Sequence, residues 1–136
     1  FHLLIRQIDS SGMKSFIQKL CIAYSMYFNK KYKRVGTLFQ GRYKAAIVDQ
    51  DSYLLHLSRY IHTNPLEIGK DFKVYPYSSY KYFLSYNSPE WLNPYPVLDY
   101  FKTARNSSLR DYFSYQSFVE GFPENSRDYL ENLALD

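Results

Sequence analysis

Tyr53-Leu-Leu-His-Leu-Ser-Arg-Tyr-Ile-His-Thr-Asn-Pro65 is the stretch whose reading decides the fold and the chemistry of this chain. It reads as one helix, capped by Asp49 or Asp51 and running to about Asn64, because a residue before proline is pushed out of the helical region. Steps of three and four place Tyr53, His56, Tyr60 and Asn64 on one stripe. Leu54, Leu57 and Ile61 form the neighbouring apolar stripe. Tyr60 and Asn64 therefore point a phenol and a carboxamide the same way. Such a pair is either a nucleophile beside a metal ligand or an ordinary surface. His62 lies two residues from Tyr60, turned off that face, and reads as structural. His56 fits either reading.

Working outward, 136 residues bound a single domain, or one domain with an extension. An apolar content of 46% can build a core, and sixteen Tyr, ten Phe and one Trp make it aromatic. No apolar run reaches the length of a membrane span, and Phe1–Ile5 lacks the features of a signal peptide. A lone Cys21 excludes an internal disulfide and suits a reducing compartment. These features lead to the expectation of a soluble, cytoplasmic protein with no membrane partner. The chain starts without Met, inside an apparent strand, and reads as a fragment or processed form.

Charge is uneven. Residues 1–48 hold nine Lys/Arg against Asp9 alone, a balance of +8, whereas residues 49–136 hold eight against twelve acids, a balance of −4. The basic half suggests a polyanion, with nucleic acid as the default. Its densest part, Lys30–Lys44, carries Lys30, Lys31, Lys33, Arg34, Arg42 and Lys44 with no acid, interleaved with Tyr32, Phe39 and Tyr43. Cations that track phosphates and rings that stack on bases are the two grips used on single-stranded nucleic acid. Gln40 and Arg42 add groups able to reach base edges or phosphates. The alternative is a solvated cationic face whose tyrosines cover the core.

The remaining pattern is simple. His2–Gln7 and Tyr43–Val48 read as strands. Asp9-Ser-Ser-Gly12 opens a helix over roughly 12–29, with Met13, Phe16, Ile17, Leu20, Tyr24, Tyr27 and Phe28 as its core stripe. After Gly69 the chain turns to Pro, Tyr, Ser and Asn. Short helices are expected near Ser79–Tyr86 and over Val97–Ala104, Leu109–Glu120 and Ser126–Leu133. The expected division is residues 1–70 as a catalytic part and 71–136 as a mainly helical extension.

A tyrosine can attack phosphorus and keep the energy of the broken phosphodiester in a phosphotyrosine. The scissile phosphate needs its charge neutralised, which a divalent ion supplies. An amide oxygen with imidazoles suits Mg²⁺ or Mn²⁺ better than a structural zinc site. Against this, any one of sixteen tyrosines is more often a packing residue.

Phe1-His2-Leu-Leu-Ile5, Tyr27-Phe-Asn29, Gly36-Thr-Leu-Phe-Gln-Gly-Arg-Tyr-Lys44, Tyr53-Leu-Leu and Arg59-Tyr-Ile-His-Thr-Asn-Pro65 follow one another in an order that resembles REP-associated tyrosine transposases, which are single-tyrosine HUH transposases of the insertion-sequence type. Pro76-Tyr-Ser-Ser-Tyr80 and Trp91-Leu92 resemble the region after that family's catalytic domain. The resemblance implies an α+β, ferredoxin-like core: an antiparallel sheet with flanking helices, its N-terminal strands absent here, followed by a helical C-terminal extension. It implies Tyr60 as catalytic nucleophile, His2 and Asn64 as metal ligands, and Lys30–Lys44 in the DNA interface. It further implies cleavage and rejoining of single-stranded or hairpin DNA through a 5′-phosphotyrosine, with relatives that are monomers or homodimers. The first HUH histidine is missing, so the alternative is a domesticated or truncated relative that holds hairpin DNA without cutting it.

Overall fold

The computed structural model describes residues 1–85, 87–102 and 114–121. Internal contacts divide the chain into residues 1–45 and 46–136.

The first unit is built on α1 (Gly12–Tyr32). The carboxylate of Asp9 starts it by accepting from the backbone N–H of Ser11 at 2.9 Å and from the Ser11 hydroxyl at 3.0 Å. Lys30 and Lys31 in its last turn suit the negative end of the helix dipole. Lys33 adopts a left-handed conformation (φ 52°) and its N–H returns to the Asn29 carbonyl, ending the helix. Asn29 Nδ2 donates to the Gly36 carbonyl at 2.9 Å, which ties the following loop back to α1. Phe39 in that loop rests on Tyr24, ring centroids 6.2 Å apart. The seven apolar residues expected to make a core stripe on α1 are all half-buried or exposed.

The second unit begins with α2 (Asp51–Thr63), followed by a 3-10 turn (Asn64–Ile68), α3 (Tyr80–Phe83), α4 (Tyr95–Lys102) and α5 (Tyr115–Glu120). α2 packs on α4 and α5. Leu55, Phe72, Tyr80, Val97, Tyr115, Phe118 and Val119 form one core, with Leu54, Phe83, Leu98, Tyr100 and Phe101 against it. Glu120 gathers three chain segments on one carboxylate: Lys73 Nζ donates to it at 2.8 Å, Tyr80 Oη at 3.0 Å and Gln116 Nε2 at 3.0 Å. The Lys73 ammonium holds the Glu120 carboxyl below its usual range.

Several expectations need correction. Among the described residues there is no β-strand, so the α+β, ferredoxin-like antiparallel sheet is not present and the described chain is helical. Residues 2–7 and 43–48, expected as strands, find no ladder partner there. A strand is held by hydrogen bonds to a neighbour, and an apolar run without one stays extended and open to water. Ile8 (95% exposed) and Ile47 (88% exposed) show how little these runs bury. Neither Asp49 nor Asp51 caps α2: Gln50 stands at the N-cap in extended geometry, with no side-chain hydrogen bond, and Asp51 lies in the first turn. Asn64 does not leave the helical region before Pro65. Its φ and ψ are −52° and −32°, and the chain tightens into the 3-10 turn instead. Gly69 closes that turn at φ 67°, a backbone setting that glycine adopts without strain.

The helices expected near Ser79–Tyr86 and Val97–Ala104 are found as α3 and α4, with Tyr86 and Ala104 outside the described residues. Of Leu109–Glu120, the described end is α5; Ser126–Leu133 lies outside the described residues.

Candidate active site on helix α2

α2 has two faces with different fates. Leu55, Ser58, Arg59, His62 and Thr63 are buried. Tyr53, His56, Tyr60 and Asn64 are half-buried. The stripe singled out by spacing is thus one contiguous strip beside a fixed inner face. The apolar flank expected at Leu54, Leu57 and Ile61 is only half-buried, and the deeply covered flank is largely polar.

Polar residues go inside because each is answered. His62 Nδ1 is 2.7 Å from Tyr115 Oη, and His62 Nε2 is 2.9 Å from Ser79 Oγ. Tyr115 Oη donates to Ser58 Oγ at 3.2 Å, and Ser58 Oγ donates to the Leu55 carbonyl at 2.7 Å. These roles run in one direction. Because Tyr115 uses its proton on Ser58, it must accept from His62 Nδ1–H. His62 Nε2 then accepts from the Ser79 hydroxyl. Phe83 meets the imidazole edge-on at 4.6 Å, and burial pushes the His62 pKa down to about 4. His62 is a neutral structural histidine, as its offset from Tyr60 predicted. Burial likewise pushes the Tyr115 phenol up, which keeps its proton in place.

The end of α2 is secured too. Thr63 Oγ1 donates to the Arg59 carbonyl at 3.1 Å and approaches the Tyr60 carbonyl at 3.3 Å. Arg59 is the buried cation beside Tyr60. Its Nη2 meets His56 Nδ1 at 2.7 Å, and its guanidinium lies 4.2 Å above the Phe118 ring.

Asn64 sits one turn beyond Tyr60, with its Nδ2 buried and, among the described residues, without a hydrogen-bond partner. A buried amide left this way is costly unless something else completes it. Among the described residues no group of three or more His, Cys, Asp or Glu is placed to hold a metal ion. Mg²⁺ takes oxygen ligands, one or two of them from protein with water and substrate phosphates completing the shell, so Asn64 would serve it only through Oδ1; the unpartnered Nδ2 is a donor and fits an acceptor, not a cation.

His2 lies in the first unit and is exposed. Lys30, Lys31, Lys33, Arg34, Gln40, Arg42 and Lys44 are all exposed, on the last turn of α1 and the loop after it. Aromatic rings stand among them: Lys31 Nζ is 5.6 Å from the Tyr27 ring and 5.4 Å from the Tyr32 ring, and Arg34 lies 5.6 Å over Phe28.

Residues 1–64 match the family model described as transposase IS200 like. The likeness to the transposase family is confined to that span, a little under half of the chain. No curated protein and no solved structure matches the chain. The matched span ends at Asn64, so it takes in α1, the basic loop and all of α2, with Tyr60 and Asn64 as its last turn. The residues that bury the inner face of α2 lie beyond it. Among the described residues no helix is long and apolar enough to cross a membrane.

Sequence reasoning missed Arg59, Tyr115 and Phe118. The His56–Arg59 step of three was legible on a helix. Nothing in the pattern signalled that Phe118, fifty-nine positions later, would cover Arg59.

Proposed function

We propose that this chain is a single-tyrosine transposase of the REP-associated type that cuts and rejoins one strand of single-stranded or hairpin DNA. The Tyr60 oxygen attacks phosphorus and the bond to the 3′ oxygen breaks. The 5′ phosphate is left as a tyrosine ester, and the 3′ oxygen leaves as a hydroxyl after gaining a proton. Reversal of the same step rejoins the strand. The resemblance implies that His2 and Asn64 would be protein ligands of a divalent ion, Mg²⁺ or Mn²⁺, which when bound would supply charge neutralisation at the phosphate.

One observation carries the reading: the final turn of the transposase-like span keeps Tyr60 and Asn64 half-exposed on a helix whose opposite face is locked into a core. A nucleophile needs that combination of access and fixed placement. The exposed cations and rings of Lys30–Lys44 suit the backbone and bases of an unpaired strand.

The test is Tyr60→Phe with a hairpin oligonucleotide and Mg²⁺. The parent chain is expected to form a covalent protein–DNA adduct. The variant is expected to lose it while binding DNA within a few-fold of the parent. Adducts that persist in the variant remove Tyr60 as nucleophile. Tight hairpin binding by the parent with no adduct makes the protein a binding module instead.

A further inference from the structure

Arg59 is 4% exposed, and a cation so placed is retained only where its surroundings answer it. Its Nη2 is 2.7 Å from His56 Nδ1, its Nη1 donates to the Phe118 carbonyl at 3.4 Å, and Phe118 lies against its guanidinium plane. A guanidinium has donors and no acceptor. His56 Nδ1 must therefore accept, and a neutral imidazole that accepts at Nδ1 carries its hydrogen on Nε2. Desolvation, and then the charge of Arg59, hold His56 below its ordinary pKa. Among the described residues of the elements around α2, Glu120 pairs with Lys73, Asp99 with Lys102, and Asp51 with Tyr100.

His56 and Tyr60 are four residues apart on the half-buried face of α2. We propose that Arg59 is a positioning residue: it fixes His56 as the neutral ring protonated on Nε2, so that His56 is a hydrogen-bond donor for the DNA phosphate beside Tyr60 and not a ligand of the cation. With Nδ1 engaged by Arg59 and Nε2 carrying hydrogen, neither nitrogen offers a lone pair to a metal. The role rests on the proposal of Tyr60 as nucleophile; the tautomer does not.

The test therefore has two arms. In the first, nitrogen-15 NMR of the full chain, free of DNA and metal, reads the tautomer of each histidine. His56 is expected with Nδ1 bare and Nε2 protonated. Arg59→Met is expected to mix the two tautomers and raise the His56 titration point. Arg59→Lys is expected to restore part of the effect. His62 should keep its low titration point in both variants, which shows that the core has survived. A parent His56 protonated on Nδ1, or a His56 unmoved in Arg59→Met, overturns the proposal.

The second arm is adduct formation on hairpin DNA. His56→Gln retains an N–H donor and is expected to keep most of the rate. His56→Phe is expected to lose roughly 10- to 100-fold, the worth of one hydrogen bond to a charged group, with an unchanged Mg²⁺ half-saturation point. An unaltered rate in His56→Phe, or a displaced half-saturation point in His56→Gln, overturns the donor role. Failure of Tyr60 as nucleophile shows itself separately, as adducts that survive Tyr60→Phe or a parent that forms none.

Discussion

Acid should loosen the core behind the proposed active site, and His62 sets the window. The ring is 2% exposed, and both its nitrogens are used in the chain that joins Ser79, Tyr115 and Ser58. Its pKa falls from 6.5 to about 4 on folding because burial penalises the charged form. Since the folded value is the depressed one, the unfolded chain takes up the proton first as pH drops. Stability is therefore complete above pH 6.5 and is drained between 6.5 and about 4. At about 1.4 kcal/mol per pH unit, the loss approaches 3 kcal/mol. That is a large part of the roughly 5–15 kcal/mol that holds an ordinary domain together.

Urea denaturation at pH 7, 6, 5 and 4 measures it. Glu120 is held below its usual range and also loses stabilisation in acid, so the parent must be compared with His62→Gln. The variant will be less stable at pH 7, but its stability should fall less steeply from pH 6.5 to 4. Parallel slopes in the two proteins would refute the reasoning, as would an NMR titration of His62 near its ordinary value.

Three further outcomes are expected. Tyr115→Phe keeps the ring volume but leaves His62 Nδ1–H buried without an acceptor, which should lower stability by about 1–3 kcal/mol in urea at pH 7; an unchanged midpoint would mean that the hydroxyl chain is not made. Phe118→Ala empties a position only 1% exposed and should cost about 3–5 kcal/mol by the same measurement, whereas a loss under 1 kcal/mol would show that α5 does not cover α2. Replacing Lys30, Lys33, Arg34 and Arg42 with Gln should flatten the salt dependence of single-stranded DNA binding by about 0.7 for each phosphate that is no longer neutralised; an unaltered slope would remove the loop from the interface.

The helices α1 and α2 were legible because helical spacing needs only neighbours in sequence. The same spacing turned His62 away from Tyr60, and the structure agrees. Spacing could not say which flank of α2 would be covered. Leu54, Leu57 and Ile61 looked the better candidates, yet Arg59 and His62 went inside because Tyr115, Ser79 and Phe118 arrive from far along the chain to answer them. The two apolar runs failed for the converse reason. Val, Ile and Leu content can suggest a strand, but it cannot supply the second strand that makes one. The basic loop was visible as composition, and its exposure follows from the high cost of burying six cations.

The Glu120 carboxylate, with Lys73, Tyr80 and Gln116 on it, has a consequence for how this protein can be handled and inherited. The stretch that matches the transposase family stops at Asn64, whereas the groups that finish α2 arrive between Phe72 and Glu120. The piece that matches is therefore shorter than the piece that folds. On a ribosome, α2 would emerge with Arg59 and His62 still in water and would settle only after α5 had followed it out. A gene fragment trimmed to the matching stretch would encode Tyr60 and Asn64 faithfully, and would deliver them on a helix with nothing behind it.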